Sequence, residues 1–453
     1  MLALPLALPW LGAVGCAALD GRRRTVGWAA LGTLLLHLAA LGWLAADVLR
    51  TGPREHVTGN WPAGIGIVLR ADALGVTFAF TSSLALALCL GAMLVRGEAS
   101  RAFPALVLFE AAGLTGVFLT GDAFNFFVFF ELSMLAAYGL AVHGDEREPI
   151  RATFIFAVVN LLGSFLFLIA VAALYHVTGT LELEAIGERM AAVEPGAAAI
   201  IAVTVFVAFG VKLGLFPFHF WLPPLYTGTH PVVAAILSGA VANIGAYGLL
   251  RFGVDVLPRE LDRGATVLAV LGAASILYGA LQALARRAVP EVLAYSAIGQ
   301  AGYVLVAIAI GGPAGYAAAV VYAVANSLNK VMLFLVADLR GPIAGAAFAI
   351  GAFSVAGMPP TAGFVAKLEL FLAAVDDGSV LLVALVFLGG ALSFLYMFQA
   401  YQHSYWRVGA ALAARPNQAL ALAVGALVVL GGLWPEPLAF LGSRAAEAFG
   451  GGP

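Results

Sequence analysis

The sequence predicts an all-α, polytopic membrane protein with about fourteen transmembrane helices, two inverted five-helix repeats and two broken helices. Hydrophobic residues make up 62% of the 453 residues, and charged residues make up only 11%. The mean hydropathy is +0.99. Soluble domains are about 25% charged, so this composition indicates a protein whose solvent is lipid. The net charge of -2 excludes the basic surface that nucleic-acid binding requires.

The predicted spans follow one another with short connections, and each is long enough to cross about 30 Å of hydrocarbon. In chain order they lie near 3–19, 26–47, 72–95, 102–120, 123–142, 152–175, 197–222, 230–252, 264–285, 292–311, 315–337, 343–375, 380–404 and 418–434. The longest polar stretches, 48–71 and 177–196, are too short for a soluble domain. Large extramembrane chemistry is therefore expected only in partner subunits.

The first span has a competing interpretation as a signal peptide or a lipoprotein box that ends at Cys16. The stretch lacks basic residues at its start, and a second apolar span follows Arg22, Arg23 and Arg24. These features favour a first membrane helix. The two cysteines, Cys16 and Cys89, lie in apolar runs without metal or redox spacing, which predicts packed thiols.

Arginines in the loops indicate the orientation of the chain. The loops after the odd-numbered spans carry twelve: Arg22, Arg23, Arg24, Arg96, Arg101, Arg147, Arg151, Arg286, Arg287, Arg340, Arg407 and Arg415. The opposite loops and the tail carry eight: Arg50, Arg54, Arg70, Arg189, Arg251, Arg259, Arg263 and Arg444. The positive-inside rule then predicts a multi-pass protein of the cytoplasmic (inner) membrane with both termini on the outer side.

The lysines are distributed differently from the arginines. The chain has only three, Lys212, Lys330 and Lys367, and all three lie within apolar spans, where a charge costs about 2.5–3.5 kcal/mol on insertion scales. A guanidinium stays protonated, whereas a buried amine can exchange a proton. The three lysines therefore predict a proton path. The alternative is that each one reaches an interface or pairs structurally.

Two carboxylates lie in the same apolar surroundings. Glu131 is in the middle of a span, between aromatic and aliphatic residues that cannot pair with it, and Glu110 lies in LVLFEAAGLTG. Each must be neutral or matched to a cation on another helix. Glu131 and a lysine form the expected pair, and Glu110 is equally consistent with a structural hydrogen-bonding role.

Two lysines lie beside predicted helix breaks. Lys212 is followed by glycine and proline in GVKLGLFPFHFWLPP, and Lys367 is preceded by them in AGMPPTAGFVAK. Spans 7 and 12 are five apart and cross in opposite directions, which is typical of broken helices in inverted repeats. The predicted organisation is helices 1–3 in 1–100, one repeat in 101–253, the second in 254–405, and helix 14 with the tail in 406–453. The alternative is that proline and glycine are simply frequent in membrane helices.

Polar residues between the two predicted breaks are candidates for lining hydrated gaps. Each one alone is also consistent with an ordinary interhelical hydrogen bond. They are Ser238, Asn243, Ser296, Gln300, Asn326, Ser327 and Asn329.

Several segments resemble the D subunit of Mrp-type cation/proton antiporters. They are TGDAFNFFVFFELSMLAAYGL (120–140), YHVTGTLELEAIGERM (175–190) and FPFHFWLPPLYTGTHPVVAAILSGAVANIGAYGLLR (216–251). AYSAIGQAGYVLV (294–306) and GMPPTAGFVAK (357–367) are shared with the antiporter-like subunits of respiratory complex I and membrane-bound hydrogenases. The resemblance covers about residues 70–405.

The resemblance implies a fourteen-helix subunit with a polar axis at the membrane midplane. It matches Glu131 to the glutamate that partners the lysine of the first broken helix, Lys212. It matches Lys330 to the middle lysine and Lys367 to the lysine of the second broken helix. His219 matches a position of an adjacent motif, although a local hydrogen bond is the alternative.

The sequence departs from the family pattern at three places. Asn243 takes the position of a lysine that usually lies between the first and the middle lysine. A histidine pair that many relatives have near Ala325 and Asn326 is absent. The loop Arg286–Glu291 lacks the usual acidic and Lys-Arg pattern. Without the second lysine, a proton must pass from Lys212 to Lys330 through water and Asn243, or not at all.

The functional prediction is a proton-translocating subunit of a multisubunit Mrp-like cation/proton antiporter, in which Na⁺ is one candidate for the coupled cation and the sequence leaves that cation open. One alternative is a proton-pumping subunit of a complex I-like quinone oxidoreductase or a membrane-bound hydrogenase. The alternative of another class is a membrane scaffold for a partner subunit. The sequence has no flavin, nicotinamide or iron–sulfur motif, so we expect no cofactor and no metal in this chain, and any enzymatic step would belong to partners.

Overall fold

The structure is a computed structural model, and it describes residues 2–60, 66–97, 100–143, 147–406 and 417–449. Ten helices of the described residues are long and apolar enough to cross a membrane, and the bent pair Leu420–Leu433 and Glu436–Glu447 makes up to eleven. Three shorter apolar helices, Ala3–Ala17, Phe103–Phe118 and Pro342–Ala356, occupy other predicted spans. The protein is therefore a multi-pass membrane protein, as its composition predicted. Among the described residues, length and composition identify ten or eleven of the fourteen predicted crossings.

The N-terminal part contains six helices and one small sheet. The helices are α1 (Ala3–Ala17), α2 (Arg24–Thr51), α3 (Ala73–Arg96), α4 (Phe103–Phe118), α5 (Ala123–Ala141) and α6 (Arg147–Thr178). Strands β1 (Arg54–Val57) and β2 (Val68–Ala71) form an antiparallel hairpin between α2 and α3. The all-α prediction is wrong for this hairpin. Gly52 and Pro53 end α2, and backbone pairing between the two strands satisfies amides that no helix uses.

The next part contains the first broken span. The helices are α7 (Leu183–Met190), α8 (Pro195–Leu213), α9 (Leu222–Gly228), α10 (Pro231–Ile236), α11 (Asn243–Leu250) and α12 (Pro258–Leu284). A 3₁₀ turn, His219–Trp221, lies between α8 and α9. The π-helical segment Leu237–Val241 joins α10 to α11, and a second one, Arg251–Val256, extends α11, so that Pro231–Val256 is one buried span.

The C-terminal part contains the second broken span. The helices are α13 (Val289–Ile310), α14 (Gly312–Val336), α15 (Pro342–Ala356), α16 (Ala362–Asp376), α17 (Val380–Tyr401), α18 (Asn417–Leu433) and α19 (Glu436–Glu447). A π-helical segment, Gln402–Trp406, extends α17. Arg407 and Arg415, which enter the predicted orientation, lie outside the described residues.

The core of the molecule lies around three nearly enclosed segments, Pro231–Val256, α13 and α14. Their buried faces are mainly small and aliphatic side chains, so the backbones approach closely, as is typical of membrane helix packing. Both cysteines are free and buried, which confirms the prediction of packed thiols. α1 contacts α2 and α4, and Trp10 packs edge-on against Phe109 at 5.8 Å between ring centres.

Candidate ion path

Lys212 lies in the last turn of α8, immediately before the helix is interrupted. Gly214 then adopts a left-handed conformation with a φ of 71°. A β-carbon at Gly214 would lie 2.5 Å from the Leu222 side chain, so conformation and close approach both favour glycine. The chain continues through the cis Phe216–Pro217 bond into the turn His219–Trp221. The predicted break after Lys212 is confirmed.

The Lys212 ammonium is enclosed by apolar and weakly polar side chains. Its Nζ donates a hydrogen bond to the Met134 sulfur and lies 5.4 Å and 5.8 Å from the ring centres of Phe130 and Phe156. No carboxylate of the described residues lies within 4.0 Å of it. A thioether is a weak acceptor, and aromatic rings do not replace water at three N–H donors. The ammonium donors are therefore only partly satisfied.

Two carboxylates interact electrostatically with Lys212, and Glu110 interacts more strongly than Glu131. Glu110 is fully buried on α4 and accepts a hydrogen bond from the Ser133 hydroxyl through Oε1, while its Oε2 has no partner. Glu131 is half-buried on α5, and its Oε1 also lacks a partner. The structure thus brings Glu131 within electrostatic range of Lys212, but the ion pair expected between these two residues is not formed. It also adds Glu110 as a second and more deeply buried acid.

Lys367 lies beside the second break, in the first half of α16. α15 ends before Gly357, which has a φ of 81°. A β-carbon there would lie 2.5 Å from the Lys367 side chain, which folds back over the break. The Lys367 Nζ donates a hydrogen bond of 3.2 Å to the Ala356 carbonyl and lies 4.7 Å over the Tyr303 ring. The ammonium is thereby held at the carbonyl end of α15, where the helix dipole favours positive charge.

The two broken-helix lysines lie on opposite sides of their breaks. Lys212 precedes Gly214, whereas Lys367 follows Gly357 and reaches back toward it. Both ammonium groups nevertheless lie at the carbonyl end of the half-helix that precedes the break. Lys212 is itself in the last turn of α8, whereas the Lys367 side chain reaches back to the last residues of α15. A cavity of about 520 Å³, partly open to the outside of the chain, reaches Lys367 between α16 and α17.

Lys330 lies in the enclosed helix α14 and is 8% exposed. It lines a cavity of about 10 Å³ together with Ser296, Gln300 and Asn326. A cavity needs roughly 10–15 Å³ of this kind to hold one water molecule, and this one has polar walls. The site therefore fits about one water between Lys330 and the polar side chains of α13.

A chain of hydrogen bonds leads from this cavity toward Lys367. Gln300 accepts a 2.6 Å bond from the Tyr322 hydroxyl and donates a 3.4 Å bond to the Tyr396 hydroxyl, which also contacts Ser296 at 2.9 Å. Tyr322 stacks on Tyr303 at 5.1 Å, and it is the Tyr303 ring that covers the Lys367 ammonium. The hydrogen bonds therefore approach Lys367 but do not reach it, because Tyr322 meets Tyr303 only through ring stacking and the Tyr303 hydroxyl has no hydrogen-bond partner.

We expect Tyr322→Phe to lower proton flux about tenfold, less than the roughly 10²–10⁴-fold of a direct proton donor, because water can bridge part of the gap. The ring stacking on Tyr303 is retained, so only the hydroxyl is lost. Flux is measured with a pH-sensitive dye in proteoliposomes that contain the assembled complex. Tyr175→Phe, at an exposed position, is the matched control. Unchanged flux in Tyr322→Phe would show that this hydroxyl carries no proton.

Asn243 follows the π-helical segment Leu237–Val241 and is almost fully buried. Its side-chain amide donates to the Ser82 hydroxyl at 2.9 Å and to the Gly239 carbonyl at 3.1 Å. The Ser327 hydroxyl, one turn before Lys330, donates to the same carbonyl. Position 243 is therefore connected to the Lys330 helix, although it carries no titratable group. π-Helical segments are frequent at functional sites.

The remaining predicted lining residues have more local surroundings. The Ser238 hydroxyl donates to the Ala235 carbonyl of its own helix at 3.5 Å. Asn326 and Asn329 each have an amide oxygen without a partner, and only Asn326 lines the Lys330 cavity. His219 packs on Phe216 and Tyr278, and its Nδ1 has no partner. Their part in a path stays a prediction.

A buried ion-pair cluster lies at one end of the spans, away from the lysines. Arg251 contacts Asp72 at 2.7 Å and Asp255 at 2.6 Å, and Arg70 contacts Asp72 at 3.3 Å. Burial alone raises the pKa of Asp72, but the two guanidinium groups and the Gly75 amide outweigh it and hold the pKa below its usual value. Arg251, which the sequence places at a span end, is only 2% exposed.

Sequence reasoning did not single out the tyrosines of this site. Tyr303, Tyr322 and Tyr396 lie in apolar helices, where an aromatic residue ordinarily signals packing. Their only common sequence signal is a phenol in a span that also carries a lysine or a glutamine. Only the three-dimensional arrangement shows that they lie between Lys330 and Lys367.

Comparison with known proteins gives consistent matches over most of the chain. Residues 120–393 match the family described as NADH:quinone oxidoreductase/Mrp antiporter, transmembrane. The D subunit of the Na(+)/H(+) antiporter of Alkalihalophilus pseudofirmus is 31% identical over 402 residues, which are 84% of this chain and 81% of that protein. A chain of the Mrp complex from Dietzia sp. superposes with a TM-score of 0.90 and 27% identity, covering 98% of this chain and 97% of that one. A chain of respiratory complex I from Thermus thermophilus gives 0.86 and 26%, with full coverage of both.

Proposed function

Since the chain belongs to the NADH:quinone oxidoreductase/Mrp antiporter membrane family, we propose that it is the ion-translocating subunit of a multisubunit, Mrp-type cation/proton antiporter. The observation that carries the proposal is the burial of all three lysines in apolar helices, two of them beside helix breaks. The similarity to the D subunit of a Na(+)/H(+) antiporter supports it. The other subunits are membrane proteins, and this chain needs no cofactor of its own.

The proposed cycle begins at Lys212. Glu110 and Glu131 stabilise its ammonium form, and weakening either interaction favours release of the proton from Nζ. The proton then crosses the Asn243 region to Lys330. From there it passes through the water-sized cavity and the Gln300–Tyr322 hydrogen bond toward Lys367. A charge that arrives at one lysine repels a charge at the next, which makes the steps sequential.

The proposal includes a topology. The ten long spans, the bent pair counted as one span and the three shorter apolar helices together make fourteen crossings, in which α4–α11 and α12–α17 form the two inverted units. The loop arginines place both termini on the outer side of the cytoplasmic membrane. Two features support the inversion: the two breaks, and the position of each lysine at the carbonyl end of a half-helix.

The acids of the Lys212 site test the cycle. We expect Glu131→Gln to reduce coupled transport by at least about tenfold in an assembled complex, because one of the two charges that stabilise the Lys212 ammonium is lost. Glu110→Gln should have a larger effect, since that acid is more deeply buried and interacts more strongly with Lys212. Transport is measured in vesicles, and assembly by co-purification of the partners. Normal flux in both variants would rule the mechanism out.

A second candidate function is a proton-pumping subunit of a redox complex, and the match to a complex I chain favours it. The same lysine path would then be driven by electron transfer in partner subunits. Mass spectrometry of the gently purified complex distinguishes the two. Small membrane subunits alone support the antiporter, whereas co-purifying iron–sulfur or nickel subunits support the pump.

A further inference from the structure

A buried histidine lies in the N-terminal helices and is not part of the lysine row, the name used here for Lys212, Lys330 and Lys367. His37 is near the middle of α2 and is fully enclosed, with 0% exposure. Ionisable residues at such a depth are rare and are functional candidates by default. The path from Lys212 to Lys330 does not use it, and nothing in the spacing of the sequence connects it to that path.

Four helices build the surroundings of His37. Its Nε2 lies 3.1 Å from the Ser83 hydroxyl of α3 and 3.1 Å from the Thr115 hydroxyl of α4. Its Nδ1 points toward the Pro5 carbonyl of α1 without making a hydrogen bond of ordinary length. Pro9 lies inside α1 and has no N–H, so the carbonyl four residues earlier, at Pro5, lacks its helical donor. A free acceptor therefore faces Nδ1.

This environment suits both protonation states of the ring. A neutral imidazole can accept a proton from either hydroxyl at Nε2 or donate to it, since a hydroxyl does both. An imidazolium can donate from Nε2 to a hydroxyl and from Nδ1 to the Pro5 carbonyl. Neither state leaves a buried donor without an acceptor within reach, so protonation costs the burial of a charge but no hydrogen bond.

The two hydroxyls lie on the helices that flank the gap in the lysine row. Ser83 follows Ser82, whose hydroxyl accepts the hydrogen bond from Asn243, and Asn243 is connected through Gly239 to the Lys330 helix. Thr115 is five residues after Glu110 on α4, or about 7.5 Å along the axis, and Glu110 interacts with Lys212. Helices α3 and α4 therefore connect His37 to both halves of the path, through Ser83 next to Ser82 and through Thr115 on the helix of Glu110.

We propose that His37 supplies the protonatable group that position 243 lacks, and that it carries the proton between the Glu110–Lys212 site and the Asn243–Lys330 side. The inference rests on the proposed function. A proton from the α4 side protonates the imidazole, and the imidazolium releases one proton through the Ser83 hydroxyl toward Asn243. One proton enters and one leaves, so the ring returns to its neutral form. Apart from Glu110, α1, α3 and α4 offer hydroxyls and a carbonyl to this site rather than charges.

The test is proton flux in proteoliposomes that contain the assembled complex. We expect His37→Gln, which keeps a side chain able to hydrogen-bond but binds no proton, to lower flux by at least about tenfold. Adding Asn243→Lys to His37→Gln should restore flux at least about threefold, because the lysine places a titratable amine back in the row. A purely structural histidine would not be rescued by a lysine on another helix.

A second variant addresses the free carbonyl. Pro9→Ala restores an amide N–H to α1 and should improve the helix by propensity. It also returns the Pro5 carbonyl to the helical ladder and removes the acceptor at Nδ1. We expect flux to fall about threefold to tenfold although the complex is no less stable. His403→Gln, at an exposed position, is the matched control and should leave flux unchanged.

The outcomes separate this inference from the proposed function. Inactive Lys212→Arg with normal flux in His37→Gln would overturn the role of His37 alone. Normal flux in Lys212→Arg would overturn the lysine path itself. Proton flux that is lost in His37→Gln and not recovered when Asn243→Lys is added, in a complex of normal composition, would also contradict the proposal. The defect would then not be the absence of a titratable group between Lys212 and Lys330.

Discussion

Lys212→Arg is expected to lower coupled proton flux at least about 100-fold, in the range of a residue that itself gives and takes the proton. Arginine keeps the positive charge near Glu110 and Glu131, but a guanidinium does not release its proton under these conditions. If Lys212 were only a counter-charge, arginine would preserve most of its role. The variant therefore separates proton exchange from charge alone.

The measurement is dye-reported flux in proteoliposomes at equal protein content, with subunit composition checked on the same sample. Lys212→Met, which removes the charge, should be equally inactive and also weaken the electrostatic interaction with both acids. Arg263→Lys is the matched control, because Arg263 is largely exposed and pairs only loosely with Glu260 at 3.8 Å. Flux within about twofold of the wild type in Lys212→Arg would mean that the proton does not pass through this amine.

Arg251→Met is expected to destabilise the protein by up to about 3–5 kcal/mol, since the buried Asp72 carboxylate loses the closer of its two guanidinium partners and keeps only Arg70 at 3.3 Å. Asp72 is fully buried, and Arg251 contacts it at 2.7 Å. The change also frees Asp255. The cluster joins the start of α3 to the end of the span Pro231–Val256, so its loss should loosen the packing between them.

The effect is read as a fall in the apparent melting temperature of the purified complex. Adding Asp72→Asn to Arg251→Met should recover part of the loss, because the uncompensated charge is removed as well. Arg444→Met is the matched control. That arginine forms an exposed pair with Glu447, and such pairs contribute about 0–1 kcal/mol. A melting temperature unchanged by Arg251→Met would show that the cluster does not stabilise the fold.

The pH dependence of this cluster follows from Asp72. Its pKa is lower in the folded protein than its usual value, so the ion pairs stabilise the fold above the pKa of the unfolded chain. That contribution is lost only as the pH falls through the lowered pKa. Near neutral pH the contribution of Asp72 to the stability of the fold should therefore not change with pH.

The sequence predicts the positions of the two broken-helix lysines well. Lys212 and Lys367 are recognisable because a lysine in an apolar run and a nearby glycine–proline break are both local features. Asn243 is recognisable through the family pattern. The burial of Glu110 beside Ser133 is not, because a carboxylate in LVLFEAAGLTG has the same sequence context whether or not it approaches a lysine on another helix.

Contacts between distant helices account for what the sequence could not show. The interaction of His37 with Ser83 and Thr115 requires α2, α3 and α4 to converge, and the stacking of Tyr303 on Tyr322 requires α13 against α14. The β1–β2 hairpin was missed because its strands are only four residues long and are separated by ten residues of the chain. In a segment of four residues, the alternation of apolar and polar side chains is too short to indicate a strand.

The central claim is that this chain conducts protons in exchange for a cation, without electron transfer. The most direct measurement is the change of internal pH in proteoliposomes of the purified complex when a Na⁺ gradient is applied with no electron donor present. The account predicts Na⁺-dependent proton movement that is absent in Lys212→Arg. Proton movement that appears only when a reductant and quinone are supplied would contradict this claim. The chain would then be a proton-pumping subunit of a redox-driven complex.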